Sequence, residues 1–179
     1  MNKGLFFFGI LLSFQLNAQN QQKDYRLGLF TEGSAHIGFD LASVIGTNED
    51  SEKHLTLGLG AQMGVQPLTW LAISGGFRYS YITPNYHLLG YNIQPYFFIG
   101  APENEDFNFL SFKWGKKQNR NLTSMGNWYG LSIGKIEVGD RRQLGQKMEL
   151  SLDFYDLGQD KFAFIGFSYG IVLFSNKSL

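Results

Sequence analysis

Residues 54–66 read HLTLGLGAQMGVQ, from His54 to Gln66, and this stretch decides the fold. Every odd-numbered position is apolar, whereas the even-numbered positions are His, Thr, Gly, Gly, Gln, Gly and Gln. Alternation with a period of two puts all the apolar side chains on one face of a β-strand. The other face has no formal charge and three glycines, so it suits the crowded interior of a narrow barrel better than water. The aliphatic face then needs lipid against it, and the stretch predicts one strand of a transmembrane β-barrel.

Seven further stretches have strand composition, and most of them show the same alternation. The predicted strands cover residues 25–41, 54–66, 70–83, 89–101, 107–114, 128–138, 147–157 and 162–174. The first alternates from Tyr25 to Leu41 and is long enough to cross a membrane at a tilt. The alternation slips in 107–114 and 128–138, and Pro95 predicts a β-bulge because proline removes a donor from the ladder. The fold expected is an all-β, antiparallel, eight-stranded up-and-down transmembrane barrel.

An even number of strands puts both chain ends on one side of the membrane. With the N-terminus in the periplasm, the periplasmic links lie near Pro67, Ala101 and Arg141. The extracellular links then lie near Asn48, Pro84, Asn119 and Gln159. Six aromatic residues near strand ends suit the two interfacial girdles of such a barrel. They are Trp70, Tyr79, Tyr81, Tyr91, Trp128 and Tyr129.

The N-terminus has the features of an export signal. Met1-Asn2-Lys3 supplies one positive charge, residues 4–16 are an apolar run, and Asn17-Ala18 precedes a Gln-rich segment. The run is shorter than the roughly 20 residues of a transmembrane helix. We therefore predict a signal peptide over 1–18, cleaved after Ala18, and an outer-membrane barrel domain over 19–179.

The composition narrows the classes of function. The formal net charge is zero, which disfavours a nucleic-acid partner. The chain has no cysteine, so neither a disulfide framework nor a thiolate metal site can form. Aromatic residues make up 16% and glycine supplies 22 residues, more than an ordinary soluble domain contains.

The whole 19–179 region resembles the small eight-stranded outer-membrane barrels of Gram-negative bacteria, with the architecture of the OmpA-type transmembrane domain. The residues that carry this resemblance are LGLGAQMGVQPLTWLAISGGFRYSYI, a strand-turn-strand hairpin, and the C-terminal FIGFSYGIVLF. Members of this family end in a strand that the barrel-insertion machinery recognises. Ser168, Gly170 and Leu173 match the first three elements of that pattern, whereas Ser175 stands in place of the final aromatic residue. The resemblance implies outer-membrane lipid and the insertion machinery as partners, and a monomer.

Candidate chemical groups are few. Glu32, His36 and Asp40 share the polar face of the first strand, but residues four apart on a strand lie about 13 Å from each other, too far for one metal site. We expect them to join other charges in a paired network inside the barrel, because buried charges need partners. The other expected members are Arg26, Arg78, Lys135, Glu149 and Asp153. His54 and His87 lie near loops, and Ser51, Glu52 and His54 form only a weak cluster for a lipid hydrolase.

We accordingly predict no catalytic residue, no metal ligand and no cofactor. The expected function is that of a non-enzymatic integral protein of the outer membrane, with a structural or surface-contact role in the cell envelope. Three alternatives stay open at this point: a lipid-modifying enzyme, a small porin-like pore, and a secreted soluble barrel of the lipocalin type with its apolar face inward.

Overall fold

The chain folds as a closed antiparallel barrel of eight strands. The computed structural model describes residues 27–41, 54–99, 106–117, 126–138, 144–157 and 160–175. Its strands are β1 (Leu29–Asp40), β2 (Leu55–Leu68), β3 (Leu71–Ile82), β4 (Tyr86–Ile99), β5 (Asp106–Lys117), β6 (Asn127–Val138), β7 (Leu144–Asp156) and β8 (Lys161–Phe174). Each strand pairs with the next, and β8 pairs with β1, so the predicted up-and-down barrel is confirmed. Within these described ranges, no helix is long and apolar enough to cross a membrane.

The barrel has two ends, which we call proximal and distal. The proximal end is where β1 begins and β8 ends, and the distal end is the opposite one. The seam between β1 and β8 runs in register from Phe30 opposite Phe174 to Asp40 opposite Phe164. The predicted signal peptide over 1–18 and its cleavage site lie outside the described residues.

Side chains alternate between an apolar exterior and a polar lumen. Leu59, Met63 and Ile133 point outward and remain 64%, 71% and 64% exposed. Glu32 and Gln94 point inward and are almost completely buried. A soluble barrel would have the opposite arrangement, and an exposed apolar belt of this extent is typical of a surface that contacts lipid. The lipocalin-like alternative is therefore excluded, and the fold is that of a transmembrane barrel.

The lumen has three layers. A proximal cluster of buried apolar side chains contains Phe30, Tyr96, Phe107, Phe109 and Phe174, among others. A distal cluster contains Ile82, Leu88, Trp128, Tyr155 and Phe164. Charged and polar side chains fill the space between the two clusters.

The predicted bulge at Pro95 is wrong. The pairing of β4 with β3 continues through Pro95 in one register, and the pairing with β5 has the same register before and after it. β4 pairs with β5 at Ile93 and again from Tyr96, so the strand loses ladder contacts at the proline instead of gaining a residue. The irregularity lies in β2, between Val65 and Leu68. Pro67 is thus inside β2, and the chain turns at residues 69–70, two residues later than predicted.

Three other expectations need correction. Leu27 does not share the outward face of Leu29, because Gly28 has a φ of 66° and turns the chain, which leaves Leu27 1% exposed in the proximal cluster. Trp128 is buried in the lumen and does not belong to a girdle. The alternation of β5 does not slip, since Phe107 and the residues at every second position after it are buried.

Candidate functional site

Six charged side chains form a continuous network in the polar layer, which we call the lumenal charge network. Its members are Glu32, Lys147, Glu149, Lys113, Asp153 and Arg78. They come from β1, β3, β5 and β7, and their charges balance, three against three. All six side chains are at most 10% exposed. Charges buried to this degree require paired partners, and here each has at least one.

The proximal half of the network centres on Lys147. Its Nζ lies 2.9 and 3.0 Å from the two carboxylate oxygens of Glu32 and 2.9 Å from Oε2 of Glu149. It also donates to the hydroxyl of Tyr96 at 3.0 Å, and that hydroxyl donates to Glu32 at 3.1 Å. The ammonium group lies 4.9 Å from the ring centroid of Tyr96 and 5.5 Å from that of Phe109. One cation therefore joins two acids and anchors them to the proximal aromatic cluster.

The distal half passes through Lys113 to Arg78. Lys113 contacts Glu149 and lies 3.9 Å from Oδ1 of Asp153. Asp153 accepts a hydrogen bond of 2.9 Å from Nη2 of Arg78. The guanidinium carbon of Arg78 lies 4.6 Å from the ring centroid of Trp128, in the distal cluster. The network thus connects the two apolar clusters through the middle of the barrel.

Glycine provides the room that these large side chains need. A Cβ added at Gly130 would collide with Oδ1 of Asp153 and would lie 3.2 Å from Lys113. A Cβ at Gly58 would collide with the ring of His36. The glycines on the inner face of β2 therefore leave space for the bulky inward side chains of the neighbouring strands.

A band of amides and hydroxyls lies beside the charges. Its members are Gln62, Ser74, Gln94, Ser111 and Ser132. Ser74 donates to Gln62 at 2.6 Å, Gln62 donates to Gln94 at 3.2 Å, and Gln94 donates to Ser111 at 2.8 Å. Gln94 also lies 3.4 Å from Glu149, which links this band to the charge network. Satisfied networks of this kind fix a unique packing.

The structure brings together a serine and a histidine that are far apart in the sequence. His36 Nε2 lies 3.1 Å from Oγ of Ser80, but it also accepts a hydrogen bond of 3.3 Å from Nε of Arg78. A general base needs that lone pair for the serine proton and an acid to orient its ring. Here the neighbour is a cation, the acid Asp153 is paired with Arg78, and Ser80 is 2% exposed inside the barrel. His36 and Ser80 therefore form part of the polar packing of the lumen.

The remaining candidate residues lie apart from one another. The His54 ring N–H donates to the carbonyl of Thr83 at 2.7 Å, and Nδ1 of His87 lies 2.7 Å from the hydroxyl of Tyr79, on the outside. Asp40 is half-buried at the distal end of β1. Ser51, Glu52 and Arg26 lie outside the described residues. No group of three or more acids and histidines in the described part of the chain could hold a metal ion.

Lys135 corrects the predicted network. It points outward from β6 and pairs with Asp106 and Glu137, so it is not a lumenal residue. The sequence reasoning missed Lys113 and Lys147, which are lumenal. Lys147 could have been predicted from the sequence, because it lies on the same face of β7 as Glu149 and Asp153.

The space left inside the barrel is small. The cavity beside Glu32, His36, Arg78, Lys113 and Glu149 has a volume of about 20 Å³, and one near Trp128 and Tyr155 has about 10 Å³. Volumes of this size hold about one water molecule each. With an apolar cluster at each end, the described part of the lumen is filled by side chains, as expected for eight strands.

Comparisons with known proteins support the fold. No family model matches the chain, and no curated protein matches it in sequence. Among solved structures, Neisserial surface protein A (NspA) has a TM-score of 0.53 at 9% identity, over 82% of this chain and 96% of that one. The N-terminal barrel domain of Pseudomonas aeruginosa OprF has a TM-score of 0.46 at 12% identity, over 80% and 97% of the two chains. A barrel from the de novo design of transmembrane β-barrels has a TM-score of 0.46 at 12% identity, over 87% and 98%. Together with the closed register and the apolar exterior, the similarity to NspA shows that this chain has the fold of the small eight-stranded outer-membrane barrels.

Proposed function

We propose that this protein is a non-enzymatic integral barrel of the outer membrane that serves the cell envelope as a structural element and makes surface contacts through its distal links. The observation that carries the proposal is the combination of a filled lumen with an apolar exterior. A barrel with this interior offers no route for a solute, and its outer face is adapted to lipid.

Two features support a structural role over catalysis, and a third supports the membrane location. The charges of the lumen are paired with one another, and the Ser80–His36 pair lies in the interior next to Arg78. The aromatic residues Trp70, Tyr79, Tyr91 and Tyr129 point outward and are 39–47% exposed, as in interfacial girdles. Contacts with other molecules are therefore assigned to the links between strands, chiefly those around Asn48 and Asn119.

The first test is the behaviour of the purified protein in lipid. We expect a band that shifts on heating in an electrophoresis gel, resistance of the strands to protease in vesicles, and conductance at background level in planar bilayers. A chain that migrates identically with and without boiling and partitions into water would overturn the membrane location. Reproducible conductance steps would contradict the proposal that the barrel does not form a pore.

The second test concerns orientation and activity in cells. An epitope inserted between Asp50 and Ser51 should be labelled on intact cells, whereas the same epitope inserted between Glu103 and Asn104 should be labelled only after the envelope is opened. The reverse pattern would contradict the periplasmic N-terminus. A changed lipid profile in a deletion strain would favour the lipid-modifying alternative.

A further inference from the structure

A polar notch interrupts the apolar belt at the proximal end of β5 and β6. On β4 and β8 the outward residues stay apolar to the proximal strand ends, at Ile99 and Leu173. On β5 and β6 the last apolar outward residues are Leu110 and Ile133. The outward positions beyond them hold Asp106, Asn108, Lys135 and Glu137. Polar side chains therefore begin at a level where neighbouring strands still present apolar groups to lipid.

The centre of the notch is a cation held between two acids. Lys135 Nζ lies 2.8 Å from Oδ2 of Asp106 and 2.9 Å from Oε1 of Glu137. Asn108 lies directly opposite Lys135 in the ladder between β5 and β6. The three charged side chains are 35–44% exposed, and exposed ion pairs contribute little to stability. The triad has a net charge of −1, and the ammonium group of Lys135 has a third N–H for a further acceptor.

A groove adjoins the notch on the outer face of the barrel. It has a volume of about 450 Å³, within the range of small-molecule sites. Its lining includes Ile99, Asn108, Ile133, Lys135, Met148 and Leu150. The groove thus has a polar rim on the proximal side and apolar walls towards the middle of the belt, which is the distribution of polarity along a phospholipid.

We propose that the notch binds the headgroup of a zwitterionic phospholipid that carries a primary ammonium, with one acyl chain in the groove. The lipid phosphate accepts hydrogen bonds from Lys135 and from the amide of Asn108. The lipid ammonium donates to Asp106 or Glu137. This assignment depends on the proposed membrane location of the barrel.

Charge complementarity selects this headgroup over the other common ones. An anionic phosphoglycerol headgroup brings a phosphate but no cation, so it is repelled by the excess carboxylate. A phosphocholine headgroup has the same net charge, but its quaternary nitrogen has no N–H to donate to either acid. Only the ethanolamine type satisfies both the lysine and the acids.

The test is a lipid titration of the detergent-folded protein, followed by native mass spectrometry. Phosphatidylethanolamine, phosphatidylglycerol and phosphatidylcholine with identical acyl chains are the probes. We expect the ethanolamine lipid to bind at least about fivefold more tightly than the other two. Lys135→Gln should weaken the binding of all three lipids, because each of them has a phosphate. The double variant Asp106→Asn/Glu137→Gln should remove the preference for the ethanolamine lipid. Lys161→Gln, a matched outward lysine at the distal end of β8, should change neither. Asn108→Leu suits a lipid-facing position and removes one donor to the phosphate, so this second, independent variant should also weaken the binding of all three lipids.

The possible results distinguish a failure of the proposed lipid site from a failure of the proposed membrane location. Equal binding of the three lipids to the wild-type protein, a preference for phosphatidylglycerol, undiminished binding in Lys135→Gln, or an unchanged preference in Asp106→Asn/Glu137→Gln would overturn the site. The same samples are checked for heat-modifiable migration and insertion into vesicles. Wild-type protein that fails that check contradicts the membrane barrel itself, whereas a folded barrel without headgroup preference contradicts only the lipid site.

Discussion

Replacing Lys147 by methionine should strongly destabilise the barrel. Methionine fills a similar volume, but it removes the charge that joins Glu32 to Glu149 and the donor to Tyr96. The lumenal charge network then has a net charge of −1, and the carboxylates of Glu32 and Glu149 are only 1% exposed. Breaking a buried ion pair by removing one partner typically costs about 3–5 kcal/mol, because the remaining charge stays buried without compensation. We expect a loss of that size in the free energy of unfolding.

The double variant Lys147→Met/Glu32→Gln tests the cause of that loss. It restores the balance of charge, since one acid is removed with the cation, and the glutamine can still accept from Tyr96. Its destabilisation should therefore be smaller than the sum of the two single changes, with a coupling of about 1–3 kcal/mol. Additive effects of the two changes would refute the interpretation that uncompensated charge causes the loss.

Urea titration in lipid vesicles, followed by tryptophan fluorescence, measures these differences. The chain has three tryptophans, and Trp128 lies in the distal cluster next to the network. Lys161→Met at the exposed distal start of β8 is the matched control and should change the free energy of unfolding by less than about 0.5 kcal/mol. A Lys147→Met protein as stable as that control would show that the lumenal ion pairs contribute nothing.

Two further predictions concern the two faces of the strands. Leu59→Arg places a charge on the lipid face and should reduce insertion into vesicles, at a cost of about 2–4 kcal/mol near the bilayer midplane. Leu59→Ala is the control, and an equal yield of heat-modifiable protein from the two variants would contradict the outward orientation of Leu59. Gly115→Ala should destabilise the protein by about 1–3 kcal/mol, because its new Cβ would collide with the indole of Trp128. Gly33→Ala points into open space and should be neutral or stabilise by up to about 1 kcal/mol in the same urea titration, so a loss like that of Gly115→Ala would refute the packing account.

The number of strands and the in–out assignment of most of them could be predicted because small residues line one face and aliphatic residues the other. β2 is the clearest example, with glycines inside and leucines outside. The same reasoning fails for β5, because Phe107 and Phe109 point into the lumen while Phe112 and Trp114 point outward. Aromatic residues close both ends of this lumen, so hydrophobicity alone no longer separates the two faces of a strand.

The sequence predicts that the lumen contains paired charges, but it does not predict which charged side chains pair with each other. Glu32, Arg78, Glu149 and Asp153 were identified from their places on polar faces, because a narrow lumen requires paired charges. Which cation meets which acid depends on how strands far apart in the chain face each other across the lumen. Glu32 and Lys147, for example, are 115 residues apart. The proximity of His36 and Ser80 could not be predicted for the same reason.

The seam between β1 and β8 has a consequence for biogenesis. Leu29 and Ser175, 146 residues apart, exchange hydrogen bonds there, so the closing contacts of the barrel are also among its least local ones. Non-local pairing of this kind makes folding slow. Until the C-terminal strand has been synthesised, the chain has two unpaired edges, which a bilayer does not tolerate. All eight strands must therefore be synthesised before the barrel can close, so closure follows synthesis of β8 and cannot accompany synthesis of the earlier strands.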